Sequence, residues 1–238
     1  MRQIILDTET TGLEPSDGHR IIEIGCVEVI DRKLTGNTYH QYINPQRVVD
    51  EGAIEVHGIT NEFLSDKPLF ADIYDEFINF VKGSELVIHN APFDVGFINH
   101  EFVLLEKQLG RKIEKIQQSC AILDTLKLAR DKHPGQKNTL DALCKRYYID
   151  NSNRQLHGAL LDSEILADVY LAMTGGQTHL TLDDADSRSG SETIKRLDPD
   201  RASLRVLTAT DEELQAHENY LNLLDKKSGG ETLWKKLL

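Results

Sequence analysis

The sequence predicts an α/β fold in which helices pack on a mixed five-stranded sheet, followed by a linker and a short docking tail. Three observations carry this. Strand-like segments come first, within residues 3–43. From residue 68 the apolar period turns helical and helices alternate with strands, as in mixed α/β sheets. Beyond Gln177 the chain becomes polar and acidic, with apolar residues far apart.

Residues 3–7 form a short apolar run ending in acid, as in a buried strand. Arg20–Ile30 and Thr38–Ile43 are rich in β-branched and aromatic residues, and turn formers over Asp31–Asn37 separate them, so strands one to three read as an antiparallel meander. Ile73, Phe77, Ile78 and Val81 lie at helical spacing, with Pro68 suited to a first turn and Gly83 to a stop. Glu85–His89 is a fourth strand, and Asn90-Ala91-Pro92 starts a helix running to about Gln108. Ser119–Arg130 is a strand-to-helix passage, Asn138 can cap a helix holding Leu140, Leu143 and Tyr147, and residues 159–173 make a helix closed by Gly175-Gly176. These segments make up a domain over 1–180. Residues 181–203 cannot bury enough apolar area to offset chain entropy, which predicts a flexible linker. In the segment 204–238, Thr210-Asp211-Glu212-Glu213 is a capping box opening a helix with Leu214, His217, Leu221 and Leu224 on one stripe, and Trp234 lies near the end. One short helix does not stabilise itself, so this tail is expected to dock on a partner.

Composition narrows the function. The chain has 238 residues, 39% of them hydrophobic, enough for one sizeable core. No apolar run reaches the length of a membrane span, and the strand-like N-terminus lacks the features of a secretory signal. Cys26, Cys120 and Cys144 are odd in number and sit in apolar patterns, as reduced core thiols of a cytoplasmic protein would. The net charge is −12, and acids outnumber bases both in residues 181–238 (12 against 9) and in residues 1–180 (27 against 18). A protein of this charge does not grip long nucleic acid by a basic surface. Either nucleic acid is not its ligand, or its site carries cations and a partner supplies the grip.

Asp7 and Glu9 are two apart on a strand, so both carboxylates share a face. Acids on an apolar strand are costly unless a cation compensates them, and oxygen donors suit Mg²⁺ or Mn²⁺; two solvated acids at a strand end are the plainer alternative. Asp94 falls in the first turn of a helix, where the dipole alone would favour an acid. Asp162 also lies near a helix start, but among Leu160, Leu161, Ile165 and Leu166, where simple solvation is disfavoured. Five helical residues turn through about 500°, so His157 would diverge from Asp162 if both were helical. It therefore belongs in the loop before the helix, beside Gly158, where it could take a proton from water.

The order Asp-x-Glu, Asp, His-x4-Asp resembles the DEDDh exonuclease family. Asp7–Gly12, Ile22–Gly25, Val56–Ile59, His89–Asp94, Leu140–Cys144, Leu156–Asp162 and Ala172–Thr178 extend the resemblance to the proofreading subunits of bacterial DNA polymerase III. It returns at Leu204–Ala209, Thr210–His217 and the Lys226–Trp234 end. The resemblance implies a ribonuclease H-like fold and removal of single nucleotides from a DNA 3′ end. It implies two Mg²⁺ or Mn²⁺ ions on Asp7, Glu9, Asp94 and Asp162, with His157 as general base. His57 and Leu13 would contact the terminal nucleotide alongside Asp7, Glu9 and Asp162; the alternative for His57 is a turn residue before Gly58. Gly52 stands where the family carries an acid, although Glu51 is adjacent. Residues 177–182 resemble a weak sliding-clamp peptide, an ordinary helix-to-linker passage being the alternative. The tail 204–238 resembles the segment that anchors the family to the polymerase III α (catalytic) subunit, and a small accessory subunit on the catalytic domain is a further possible partner.

Other classes remain open at this point. A DEDDh ribonuclease trimming RNA 3′ ends would share the catalytic residues but needs no tether. A non-catalytic polymerase scaffold would usually lack a ligand, and here all the acids stand. A phosphatase using Asp7 as an aspartyl-phosphate would want Asp where Glu9 stands and leaves His157 unexplained.

Overall fold

A computed structural model of the chain describes residues 1–152, 154, 156–175, 208–229 and 234. In the first compact unit, Met1–Leu180, the order is β1 (Arg2–Thr10), β2 (Ile21–Ile30), β3 (Lys33–Tyr42), α1 (Glu51–His57), α2 (Asn61–Leu64), α3 (Phe70–Val81), β4 (Glu85–Ile88), α4 (Ala91–Leu109), α5 (Ile116–Ser119), β5 (Ala121–Asp124), α6 (Thr125–Lys132), α7 (Leu140–Tyr147) and α8 (Ala159–Thr174). The five strands form one sheet in the order β3-β2-β1-β4-β5. The β1–β2 and β2–β3 pairs are antiparallel, and the β1–β4 and β4–β5 pairs are parallel. This is the mixed sheet that the sequence predicts.

Each face of the sheet has its own core, and the two-residue period of β1 divides them. Ile4 and Leu6 join Phe77 of α3 and Phe97 and Phe102 of α4 on one side. Ile5 joins Val27, Val29 and Val87 with Leu166, Ala167 and Tyr170 of α8 on the other. By the same alternation Asp7 and Glu9 fall on the α8 side, while Thr8 points toward α4. Helix α8 carries little amphipathic character because it is buried twice: its other flank packs Ile165, Val169 and Met173 on Leu143 and Cys144 of α7. The three cysteines are buried and free, as expected.

Several elements differ from the sequence reading. Strand β1 runs through to Thr10, so Asp7 and Glu9 lie within a paired strand and not at its end. The β2–β3 turn shrinks from 31–37 to Asp31 and Arg32, both with positive φ (48° and 65°), as in a primed two-residue hairpin turn. Thr35, Gly36 and Asn37 stay in β3 as a bulge opposite Glu28, whose carboxylate accepts from Thr35 Oγ1 at 2.9 Å. Pro68 precedes the Leu69 cap of α3 and lies outside its first turn. Thr139, and not Asn138, caps α7 by accepting from the Ala142 N–H. Asn138 accepts from Arg146 Nη1 at 3.0 Å instead. Helices α1 and α2 carry no strong sequence signal: α1 has seven residues, including Gly52 and the β-branched Ile54 and Val56. Packing of Ile22, Val49, Ile59 and Leu64 holds this region together.

In the second compact unit, Thr181–Leu238, the described helix α9 (Asp211–Ser228) opens with the expected capping box. Leu221 is buried, Leu214 and Tyr220 are exposed, and the His217 and Trp234 rings lie 6.2 Å apart. The segments 177–182 and 181–203, and residues 204–207, lie outside the described residues.

Backbone meets backbone closely where α8 crosses β2. A Cβ on Gly25 would stand 2.2 Å from the Ala159 carbonyl carbon and the Leu160 nitrogen. Nothing lies within 4 Å of a Cβ built on Gly52. Gly25→Ala is therefore expected to destabilise the protein by about 1–3 kcal/mol through overpacking. Gly52→Ala should be neutral or slightly stabilising. Chemical denaturation of the two variants checks this, and a neutral Gly25→Ala would mean that the seat of α8 is not tight.

Candidate active site

Three elements bring Asp7, Glu9, Asp94 and Asp162 to one cavity. In β1, Asp7 pairs with Gly25 and Glu9 with Glu23 of β2, which directs both acids toward the start of α8. Asp94 lies in the first turn of α4, where the Asn90 cap takes a left-handed conformation (φ 69°). It is 2% exposed, and its Oδ1 accepts from Thr8 Oγ1 at 2.7 Å. Thr8 thus ties one strand face to α4 while its neighbours Asp7 and Glu9 present the other.

Helix α8 brings Asp162, and β2 decides where that helix begins. The absent side chain of Gly25 admits the α8 backbone, and Ser163 Oγ donates to the Gly25 carbonyl at 2.9 Å. The cap residue Gly158 offers no side chain; Glu23 Oε2 accepts the Ala159 N–H at 3.1 Å instead. The other oxygen of Glu23 meets His40 Nε2 at 2.7 Å. A carboxylate at a helix N-terminus is also favoured by the helix dipole.

His157 lies in the loop before α8, as its spacing from Asp162 implies. Its backbone N–H donates to the Val56 carbonyl, and Leu156 covers Gly58, whose φ of 73° favours glycine. The imidazole is about half exposed (47%), with Nδ1 3.6 Å from Asp162 Oδ2. Glu9, His157 and Asp162 place ligand atoms within 4.8 Å of one another. Asp7 and Asp94 line the same cavity of about 780 Å³.

This crowding acts on the acids' protons. Burial, then Asp94, Glu9 and Asp162, hold the Asp7 carboxyl well above the usual carboxylate range. Glu9 is pushed up to about 8 by burial and then by Glu23, Asp162 and Asp94. Burial raises Asp94 to about 7 against the lowering hydrogen bond from Thr8. Oxygen donors that resist ionisation until positive charge arrives fit a hard divalent cation.

A second cavity of about 660 Å³ shares Thr8, Glu9, Leu13 and Phe93 with the first and is also lined by His57. His57 is the last residue of α1, not part of a free turn, and is 6% exposed. Its Nδ1 accepts the Ile59 N–H at 3.0 Å, which leaves the hydrogen on Nε2. Nε2 is buried without a partner in hydrogen-bond geometry, although the Thr10 carbonyl favours its protonation; burial lowers the pKa. Leu13 is 78% exposed and lines both cavities. Asp50 and Gly52 line the second cavity and Glu51 does not, so the nearby acid facing it is Asp50.

Sequence reasoning missed Arg154. Its Nε and Nη2 grip Asp162 Oδ1 and Oδ2 at 2.5 and 2.7 Å, and Nη1 reaches Asp141 at 2.9 Å. In sequence it is one base in the polar stretch Asp150–Arg154, like any solvated loop. Glu23 and Phe93 were visible only as parts of motifs.

A profile of the family described as Exonuclease matches residues 4–170. DNA polymerase III subunit epsilon of Salmonella typhimurium is 55% identical over 241 residues, covering 98% of this chain and 97% of that protein. Its Escherichia coli counterpart is 54% identical with the same coverage, and that of Haemophilus influenzae is 50% identical, covering 99% and 95%. Exonuclease X, solved in complex with 5′ overhanging duplex DNA, is 28% identical with a TM-score of 0.55, over 74% of this chain and 94% of that one. The nuclease domain of 3′hExo, a DEDDh family member bound to rAMP, shares the fold at 20% identity and a TM-score of 0.60, over 72% and 90%.

A pH dependence follows from the acids. Folded Glu9 keeps its proton from its ordinary 4.5 up to about 8. Folding therefore binds protons in this window, and the metal-free protein loses stability as pH rises through it. If the ionised acids take up Mg²⁺, its addition should raise the melting temperature more at pH 8 than at pH 6. Equal shifts at both pH values in a thermal melt would contradict this.

Proposed function

This chain belongs to the exonuclease family and, within it, to the DNA polymerase III epsilon subunits, and we propose that Asp7, Glu9, Asp94, Asp162 and His157 are the residues with which it removes nucleotides from a DNA 3′ end. It is a proofreading 3′→5′ exonuclease subunit of DNA polymerase III. The observation that supports the site assignment is the pairing of the two cavities, one ringed by carboxylates with an imidazole, the other offering apolar side chains and an unpartnered N–H. A phosphodiester suits the first and a terminal nucleoside the second.

Two divalent cations, Mg²⁺ or Mn²⁺, held by Asp7, Glu9, Asp94 and Asp162, would make the attacking water more acidic and offset charge on the leaving 3′-oxygen. The chain's own residues do the rest. Asp7 and Glu9 sit on a paired strand and Asp94 is held by Thr8, so three of the acids are fixed before substrate arrives. His157 takes the proton of the attacking water, its exposed imidazole reaching the cavity from a loop tied to α1. His57 Nε2–H donates to the terminal nucleotide, and Leu13 and Phe93 pack against its base or sugar. The leaving oxygen stays with the shortened strand, and a deoxynucleoside monophosphate departs.

Partners complete the reading. The tail 204–238 docks on the polymerase III α subunit, and exposed Leu214, Tyr220 and Trp234 are its apolar contacts. A weak contact of 177–182 with the sliding clamp and binding of a small accessory subunit to 1–180 extend the same reading, in the cytoplasm. No described helix is long and apolar enough to cross a membrane.

A Mg²⁺-dependent digestion of matched single-stranded DNA and RNA 3′ ends tests the assignment. Wild type and a chain lacking residues 183–238 should release deoxynucleoside monophosphates at similar rates, with only the full chain co-purifying with α. Asp7→Ala should abolish release, and His157→Ala should cut it by about 10²–10⁴-fold. Full activity of Asp7→Ala would sink the metal assignment, and preference for RNA would turn the reading to a ribonuclease.

A further inference from the structure

One guanidinium covers two of the groups to which the proposed chemistry assigns work. Arg154 spends Nε on Asp162 Oδ1 (2.5 Å) and Nη2 on Asp162 Oδ2 (2.7 Å), so both oxygens of that carboxylate are engaged. The same Nη2 lies 3.1 Å from His157 Nδ1. Arginine only donates hydrogen bonds, so Nδ1 must be the acceptor, and its lone pair is committed to Arg154. Nη1 rests on Asp141 Oδ1 at 2.9 Å. The Arg154 side chain is 9% exposed and Asp162 5%, whereas Asp141 is 57% exposed. The inner end of the fork is therefore buried at the cavity and the outer end is anchored at its rim.

We propose that Arg154 is a latch that competes with the divalent cation for Asp162 and, while it does so, masks His157 as a base. This rests on the reading of Asp162 as a metal ligand. A guanidinium and a divalent cation on one carboxylate repel each other at a few ångströms, and two-pronged donation engages one lone pair on each oxygen of Asp162. Cation entry displaces the inner prongs, and Nη1 on Asp141 keeps the arginine at the rim. Release frees Asp162 and Nδ1 together, so the base becomes available when the cation has arrived. In the metal-free protein the latch supplies the positive charge that an otherwise acidic cavity lacks, which keeps α8 seated before loading. Arg154 is on this account a positioning residue.

The test is calorimetric titration of Mn²⁺ into wild type, Arg154→Lys and Arg154→Ala. The latch requires both variants to bind tighter than wild type, by on the order of tenfold, or about 1.4 kcal/mol. Lysine retains the charge but not the two-pronged grip. Tighter binding by Arg154→Ala alone, with Arg154→Lys like wild type, would reduce the effect to net charge and overturn the latch. Equal or weaker binding by both would make Arg154 a support for the site and overturn it too. Absence of Mn²⁺ binding to wild type would instead sink the metal reading beneath it. Should the variants not fold, wild type decides: the Arg154 Nε–H resonance must shift as Mg²⁺ saturates the site, and an unchanged resonance rejects the proposal.

Discussion

Mutual repulsion among carboxylates confined to one buried cavity is the constraint around which this molecule is built. Burial above all holds protons on Asp7, Glu9 and Asp94, and for Asp7 and Glu9 the neighbouring acids add to it. The fold opposes the repulsion with rigid elements. Asp7 and Glu9 are held in a strand paired with β2 at both positions, Asp94 is fixed by Thr8 at a helix start, and Asp162 rides on a helix buried along two flanks. Confinement of this kind costs stability in the metal-free protein and prepares a place where cations bind strongly.

The seat of α8 connects packing to electrostatics. Gly25 lets the helix backbone descend onto β2, and Glu23 from the same strand caps it. Glu23 also adds another negative charge directly across from Glu9. His40, on the neighbouring strand, meets its free oxygen. The strand that positions the helix therefore also sharpens the demand for positive charge. Arg154 meets part of that demand from the protein itself, and the cations of the proposed mechanism would meet the rest. The net charge of −12 then presents no conflict with a nucleic-acid substrate, since positive charge at the site is borrowed.

Much of this was legible in the sequence because the signals were local. The two-residue spacing of Asp7 and Glu9 is a strand property, and the apolar neighbours of Asp162 already argued against a solvated acid. The angular argument that removed His157 from the helix agrees with its loop position. Less legible were features that depend on contacts distant in sequence. Helix α1 is too short and too poor in helix formers to announce itself, so a turn before Gly58 stood as the alternative for His57. Thr139 rather than Asn138 caps α7 because that choice depends on which side chain faces Ala142, and the tertiary partner Arg146 engages Asn138. Arg154 gave no signal because its meaning comes from Asp162, Asp141 and His157 meeting in space.

On the proposed function, the confined carboxylates exist to hold divalent cations. Anomalous diffraction from crystals of the full chain equilibrated with Mn²⁺ tests this most directly. The expected result is a pair of anomalous peaks, about 3.5–4 Å apart, among Asp7, Glu9, Asp94 and Asp162. A cavity without anomalous density at saturating Mn²⁺, with the protein still active, would contradict it.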